Sequence, residues 1–138
     1  MKVYFDNAAT TPIRREVVDE MRNCLLETFG NPSSSHFYGR AAKAKLEIAR
    51  KSIAKHFNAL PKEIVFTSGG TESDNMIIKC AVNDLGVSKI ISSKIEHHAV
   101  LHTLDDLKSK SVQVEYVNTT KDGKIDYKHL EELLIEDD

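Results

Sequence analysis

The sequence predicts an α/β domain, a mostly parallel sheet with flanking helices, on three observations. Short β-branched runs recur at Ile64-Val65-Phe66-Thr67, Lys89-Ile90-Ile91-Ser92-Ser93 and Val112-Gln113-Val114-Glu115-Tyr116-Val117. Stretches with helical apolar spacing separate them, and strand–helix alternation is the pattern of a parallel sheet with right-handed crossovers. The first run ends in Ser68-Gly69-Gly70-Thr71, a turn placed where open α/β sheets bind ligands, at the carboxyl end of a strand.

Composition supports an ordinary folded domain. The 138 residues are 41% hydrophobic and 29% charged, with 19 basic and 21 acidic residues and a formal net charge of −2, enough for a core. The absence of net positive charge removes the electrostatic case for a nucleic-acid or membrane partner. No apolar run reaches the length of a membrane span, and Met1–Phe5 is too short for a signal peptide. Two cysteines, Cys24 and Cys80, make no disulfide framework. Both fall on apolar faces of predicted helices, where a free cysteine packs as a small hydrophobe. The expected location is the cytoplasm.

Residues 6–12 form an irregular start, with Pro12 suited to opening a helix. Val17, Met21, Cys24, Leu25 and Thr28 follow at helical spacing. Gly30–Ser35 is a loop by composition. Ala42, Leu46, Ala49, Ile53 and Phe57 make an apolar stripe on a second helix, with Glu47 and Lys51 in the favourable i, i+4 order. After the first strand a helix spans about Thr71 to Leu85, and another lies near 98–109. The third strand alternates apolar and polar residues, which points to one less buried face. Asp122-Gly123 is a turn, and Asp126 is placed to cap a last helix carrying Leu130, Leu133 and Leu134. The chain then ends at Glu136-Asp137-Asp138, so the expected sheet is narrow and incomplete.

Chemistry concentrates at two strand ends. At the start of the helix near Thr71 the first N–H groups are unpaired and the helix dipole favours an anion. The glycines admit a phosphate, and Thr71 adds a hydroxyl. The competing reading is a capping turn, with Thr71 and Asp74 in the capping-box pattern and Glu72 suiting the dipole. His97 follows the second strand at its carboxyl end. It either faces the same crevice, stacking on an aromatic cofactor or moving protons, or it caps a helix or meets solvent. His98 and His102 stand at a metal-chelating spacing, but the pattern supplies no third ligand and no metal is expected.

Taken together, four ordered motifs resemble the cysteine desulfurases, pyridoxal-phosphate enzymes of the class V aminotransferase group. They are Phe5-Asp6-Asn7-Ala8-Ala9-Thr10-Thr11-Pro12, Gly30–His36 with Gly39, Glu63–Asn75, and Glu96-His97-His98-Ala99-Val100. The resemblance implies the N-terminal portion of a fold-type I large domain. Residues 1–12 belong to a small, substrate-side region and 13–138 to a partial cofactor-binding domain, with Ala8–Thr11 approaching the substrate. It implies pyridoxal 5'-phosphate as cofactor: Gly70 and Thr71 hold its phosphate, and His97 stacks on its ring and assists proton transfers as the catalytic residue. The implied reaction converts L-cysteine to alanine and leaves a persulfide on the enzyme. That sulfur passes to an acceptor protein for iron–sulfur cluster or thio-nucleoside synthesis, and complete family members are homodimers.

The family's Schiff-base lysine, in a serine-histidine-lysine motif, its nucleophilic cysteine and the aspartate on the pyridine nitrogen all lie downstream in the family. None is matched here. Lys94 has no counterpart as the cofactor lysine, and Cys24 and Cys80 match neither the motif nor the position of the nucleophile. The expectation is therefore a truncated cysteine desulfurase, inactive alone, with only the phosphate-side and ring-stacking contacts. The alternatives are another class V enzyme such as a selenocysteine lyase, or a non-catalytic phosphate-binding or interaction module.

Overall fold

The computed structural model describes residues 1–135, so the acidic end 136–138 lies outside the described residues. The chain divides into two compact units, 1–65 and 66–138.

The first unit is helical. Tyr4 closes its opening segment by donating its hydroxyl to the carbonyls of Asp6 (2.9 Å) and Thr10 (3.3 Å). Helix α1 spans Arg15–Glu27 and helix α2 spans Phe37–His56. Pro12 does not open α1: Arg14 is its N-cap, so the proline stands outside the helix. A 3₁₀ turn, Pro61–Glu63, follows and packs against α2. The α2 stripe is only partly covered, with Ala42 and Ala54 buried and Phe57 exposed. The apolar face of α1 buries no residue, and Met21 and Leu25 are 52% and 76% exposed. The Lys45 ammonium, 2.8 Å from the Glu20 carboxylate, joins α2 to α1.

The Gly30–Gly39 loop is built around close backbone approaches. A Cβ on Gly39 would lie 2.3 Å from the Ser34 carbonyl oxygen and 2.7 Å from that of Asn31; one on Gly30 would lie 2.2 Å from the Tyr38 oxygen. His36 caps α2 by accepting the Gly39 N–H at Nδ1, 3.4 Å away.

The second unit has the α/β character expected. Helix α3 (Gly70–Asn83), strand β1 (Lys89–Ser93), helix α4 (His98–Lys108), strand β2 (Gln113–Val117) and helix α5 (Tyr127–Ile135) follow in order. β1 and β2 pair in parallel, Lys89 opposite Gln113 through Ser93 opposite Val117. Leu104 (0% exposed), Leu107, Val114, Val117 and Leu133 form the core where α4, β2 and α5 meet. Lys89 spans the unit: its ammonium lies 3.6 Å from the Glu115 carboxylate on β2 and donates to the Leu133 carbonyl on α5 at 3.2 Å. The predicted turn forms, with Gly123 at φ 75° and its N–H donating to Thr120. Asp126 caps α5 by accepting from the N–H groups of Lys128 (3.1 Å) and His129 (3.3 Å).

Two further expectations are corrected. The first predicted strand does not form: among the described residues the sheet has two strands, and 64–67 is not one of them. Local groups take up its polar atoms instead. The Arg50 guanidinium donates to the Ile64 carbonyl, and the Thr67 hydroxyl lies 2.8 Å from that of Ser73. The cysteines do not pack as core hydrophobes: Cys80 is exposed and Cys24 half-buried.

Replacing Gly39 by alanine forces the Cβ into two carbonyl oxygens. The expected cost is about 1–3 kcal/mol, read as a lower midpoint in chemical unfolding.

Candidate functional site

Helix α3 begins without a side-chain cap. Its N-cap is Gly69, and the first intrahelical bond is the Ser73 N–H donating to the Gly69 carbonyl at 3.1 Å. The N–H groups of Gly70, Thr71 and Glu72 precede that bond and carry the positive end of the helix dipole. Among the described residues, a Cβ placed on Gly69 or Gly70 would meet nothing within 4 Å. The glycines are therefore not explained by packing; they leave an open cradle over the helix start.

The anticipated capping box of Thr71 and Asp74 does not form. The helix begins at Gly70, which makes Thr71 its second residue. The carboxylate that reaches back is that of Glu72, accepting the Ser68 N–H at 2.6 Å. This bond holds the Glu72 carboxyl below its ordinary value of 4.5. Asn75 donates its side-chain amide to the Thr71 carbonyl at 2.9 Å.

Thr71 and His97 meet at one cavity. It has a volume of about 320 Å³ and is lined by Thr71, Asn75 and Lys79 of α3 together with His97, His98 and His102, where α3 packs on α4. Gly70 stands next to the lining at the start of the same helix. His97 is the N-cap of α4 and accepts the Ala99 N–H at Nδ1, 3.1 Å away. It thus both caps a helix and lines the cavity. The rings of His98 and His102 stack at 5.5 Å, and no group of three metal-ligating side chains surrounds them among the described residues.

Asn75 and Lys79 are the residues that sequence reasoning missed. Their signal was the spacing Thr71, Asn75, Lys79, every fourth residue on one helix face. Lys94, by contrast, has its ammonium 6.0 Å from the centroid of the Tyr116 ring and is not among the lining residues. Cys80 is also off the cavity. A hydrogen bond with Asp84 pushes its thiol up, the reverse of what a nucleophilic thiolate needs. A second cavity of about 400 Å³ lies among Ile78, Ile91, Val100, Leu104, Val117 and Leu130. Among the described residues Glu96 is its one ionisable lining group, so it has the character of incompletely filled core.

Residues 3–138 match the Aminotransferase class-V family. The chain belongs to that family. It is 45% identical over 138 residues to "Cysteine desulfurase IscS" of Dictyoglomus turgidum, covering 99% of this chain and 35% of the relative. It is 48% identical over 126 residues to the protein of the same name from Methanosarcina thermophila, covering 89% and 31%. Among solved structures it superposes on a "NIFS-LIKE PROTEIN" with a TM-score of 0.89 at 41% identity, over 96% of this chain and 37% of that one. It also superposes on "SspA in complex with cysteine" with a TM-score of 0.84 at 37% identity, over 94% and 38%. The chain thus spans about a third of the length of the relatives it matches. The resemblance drawn from four motifs extends over residues 3–138, and the chain has the fold of the N-terminal part of the NifS-like fold-type I enzymes. No helix among the described residues is long and apolar enough to cross a membrane.

The Glu72 bond has a pH signature. A carboxyl held low in the folded turn stabilises that turn fully above its ordinary value, and the stabilisation is lost as pH falls through the lowered one. Protection of the Ser68 amide, corrected for intrinsic exchange, is expected to hold at neutral pH and fall on acidification. Glu72→Gln should flatten that dependence.

Proposed function

We propose that this chain carries the phosphate-side and ring-side walls of a pyridoxal 5'-phosphate site in a cytoplasmic cysteine desulfurase. The whole protein would turn L-cysteine into alanine and pass the sulfur, through an enzyme persulfide, to an acceptor protein. The observation that carries the reading is the meeting of Thr71 and His97 at one cavity beside an uncapped helix start with an open glycine cradle. The names of the relatives, and the cysteine named with the SspA structure, support the substrate class.

The residues fit the group. Gly70, Thr71 and Glu72 offer backbone N–H donors to a phosphate, and the Thr71 hydroxyl adds a charge-assisted bond. His97 supplies a flat ring for an aromatic one to stack on. The cofactor, when bound, supplies an electron sink for bond cleavage next to the amino group. The protein's part here is position: α3 fixes the phosphate end, and the α4 cap fixes the imidazole plane. Lys79, at the same cavity, adds a cation that favours anionic ligands. The anchoring lysine, the persulfide cysteine and the acidic partner of the ring nitrogen are assigned to parts of the whole protein outside these residues. The domain division follows the resemblance, with 1–12 on the substrate side and 13–138 in the cofactor domain, and the working assembly is a homodimer.

Titrating the chain with pyridoxal phosphate, following visible absorbance before and after borohydride, tests this. Saturable binding without a stable reduced adduct is expected. Gly70→Ala replaces a helical glycine by a better helix former yet fills the cradle, so it should weaken binding without lowering stability. Thr71→Val should weaken binding about tenfold or more. No saturable binding, or binding indifferent to both changes, overturns the proposal. A one-to-one reduced adduct overturns the assignment of the anchor elsewhere and makes Lys79 the lysine to sequence.

A further inference from the structure

His97 has two ring nitrogens, and stacking uses neither. The structure commits one of them. The Ala99 N–H donates to Nδ1 at 3.1 Å, and this is the N-cap bond of α4. An amide hydrogen can be accepted only by a nitrogen with a free lone pair, so Nδ1 is bare and, in the neutral ring, the proton sits on Nε2.

We propose that the α4 cap locks neutral His97 as the Nε2–H tautomer, so that the ring exchanges a proton only when it releases the Ala99 N–H. In the capped state the Nδ1 lone pair is taken by the backbone and Nε2 carries hydrogen. The ring then has a hydrogen-bond donor for whatever occupies the cavity and no basic site to offer it. A proton from solvent arriving at Nδ1 breaks the Ala99 bond and gives an imidazolium, whose Nε2–H is an acidic proton. Loss of that proton from Nε2 leaves the Nδ1–H tautomer, which still cannot accept from Ala99. The cap returns only when Nε2 has regained a proton and Nδ1 has lost its own. Proton transfer at this ring and capping of α4 therefore exclude each other.

Among the described residues, the titratable groups around the ring are Lys79 from α3 and His98 and His102 from its own helix, which line the same cavity, and its chain neighbour Glu96. The His98 ring centroid lies 6.2 Å away. The Glu96 carboxylate is turned to the Ser93 hydroxyl, 3.5 Å away. Among the described residues, no carboxylate lines the cavity. The backbone donor of Ala99 acts here as a positioning group, through the imidazole and not on the ligand.

The consequence for catalysis rests on the proposed function, but the tautomer and its coupling to the cap do not. The test uses the full chain without cofactor. Imidazole nitrogen resonances should show Nδ1 as the bare nitrogen and Nε2 as the protonated one. On acidification, exchange of the Ala99 amide, corrected for its intrinsic pH dependence, should rise about fivefold with the same midpoint as the His97 ring. In His97→Asn the side-chain oxygen takes the place of Nδ1, and Ala99 should stay protected across the range. In His97→Gln the amide reaches past that position, and protection should be low at every pH. An Nδ1–H tautomer in the neutral protein, or Ala99 exchange that ignores the ring's titration, overturns the inference. Neither result bears on whether the cavity takes pyridoxal phosphate.

Discussion

The site depends on a helix that starts without a cap of its own. Most helices satisfy their first N–H groups with a serine, threonine, aspartate or asparagine at the N-cap. Helix α3 places a glycine there and a second glycine just inside, and the space a Cβ would fill stays open. Donors left unpaired at a dipole's positive end make an anion site with no charged side chain. Just before the helix, the Ser68 N–H is already taken by a carboxylate, that of Glu72, which is thereby stabilised as the anion.

Helix α4 starts in the complementary way, with a side-chain cap, but the cap is a histidine. A serine would satisfy the same N–H as well and would bring no ring. Capping with His97 gives the imidazole a fixed plane and a fixed tautomer at the wall shared with Thr71. Packing of α3 on α4 brings the two helix starts to one cavity. The sheet below contributes position: β1 delivers the chain to His97, and Lys89 ties β1 to β2 and α5.

Much of this was legible in the sequence, for physical reasons that differ from element to element. α3, α4 and α5 follow from spacing and from turn chemistry, such as Asp122-Gly123 and the Asp126 cap. β1 and β2 follow from β-branched runs. The run at 64–67 carries the same signal, yet a strand exists only when a neighbour satisfies its backbone, and a one-dimensional pattern does not name the neighbour. The uncovered face of α1 has the same origin, since periodicity identifies an apolar stripe without saying what it packs on. At the site, Thr71 and His97 stand out through their places at the ends of predicted strands, of which only the one before His97 forms. Whether His97 caps a helix or faces the crevice is a choice the sequence leaves open; in the structure it caps α4 and also lines the cavity. Lys79 and Asn75 were missed because nothing in their immediate sequence marks them; they matter only through the helix face they share with Thr71.

The central claim is that the start of α3 is an anion cradle facing the His97 ring. The most direct measurement is an amide correlation spectrum of the chain recorded through a titration with pyridoxal phosphate. Saturable shifts are expected at Gly70, Thr71 and Glu72, with the His97 ring resonances moving along the same binding curve. Shifts confined to other segments, with the Gly70–Glu72 amides unmoved at saturation, would contradict it.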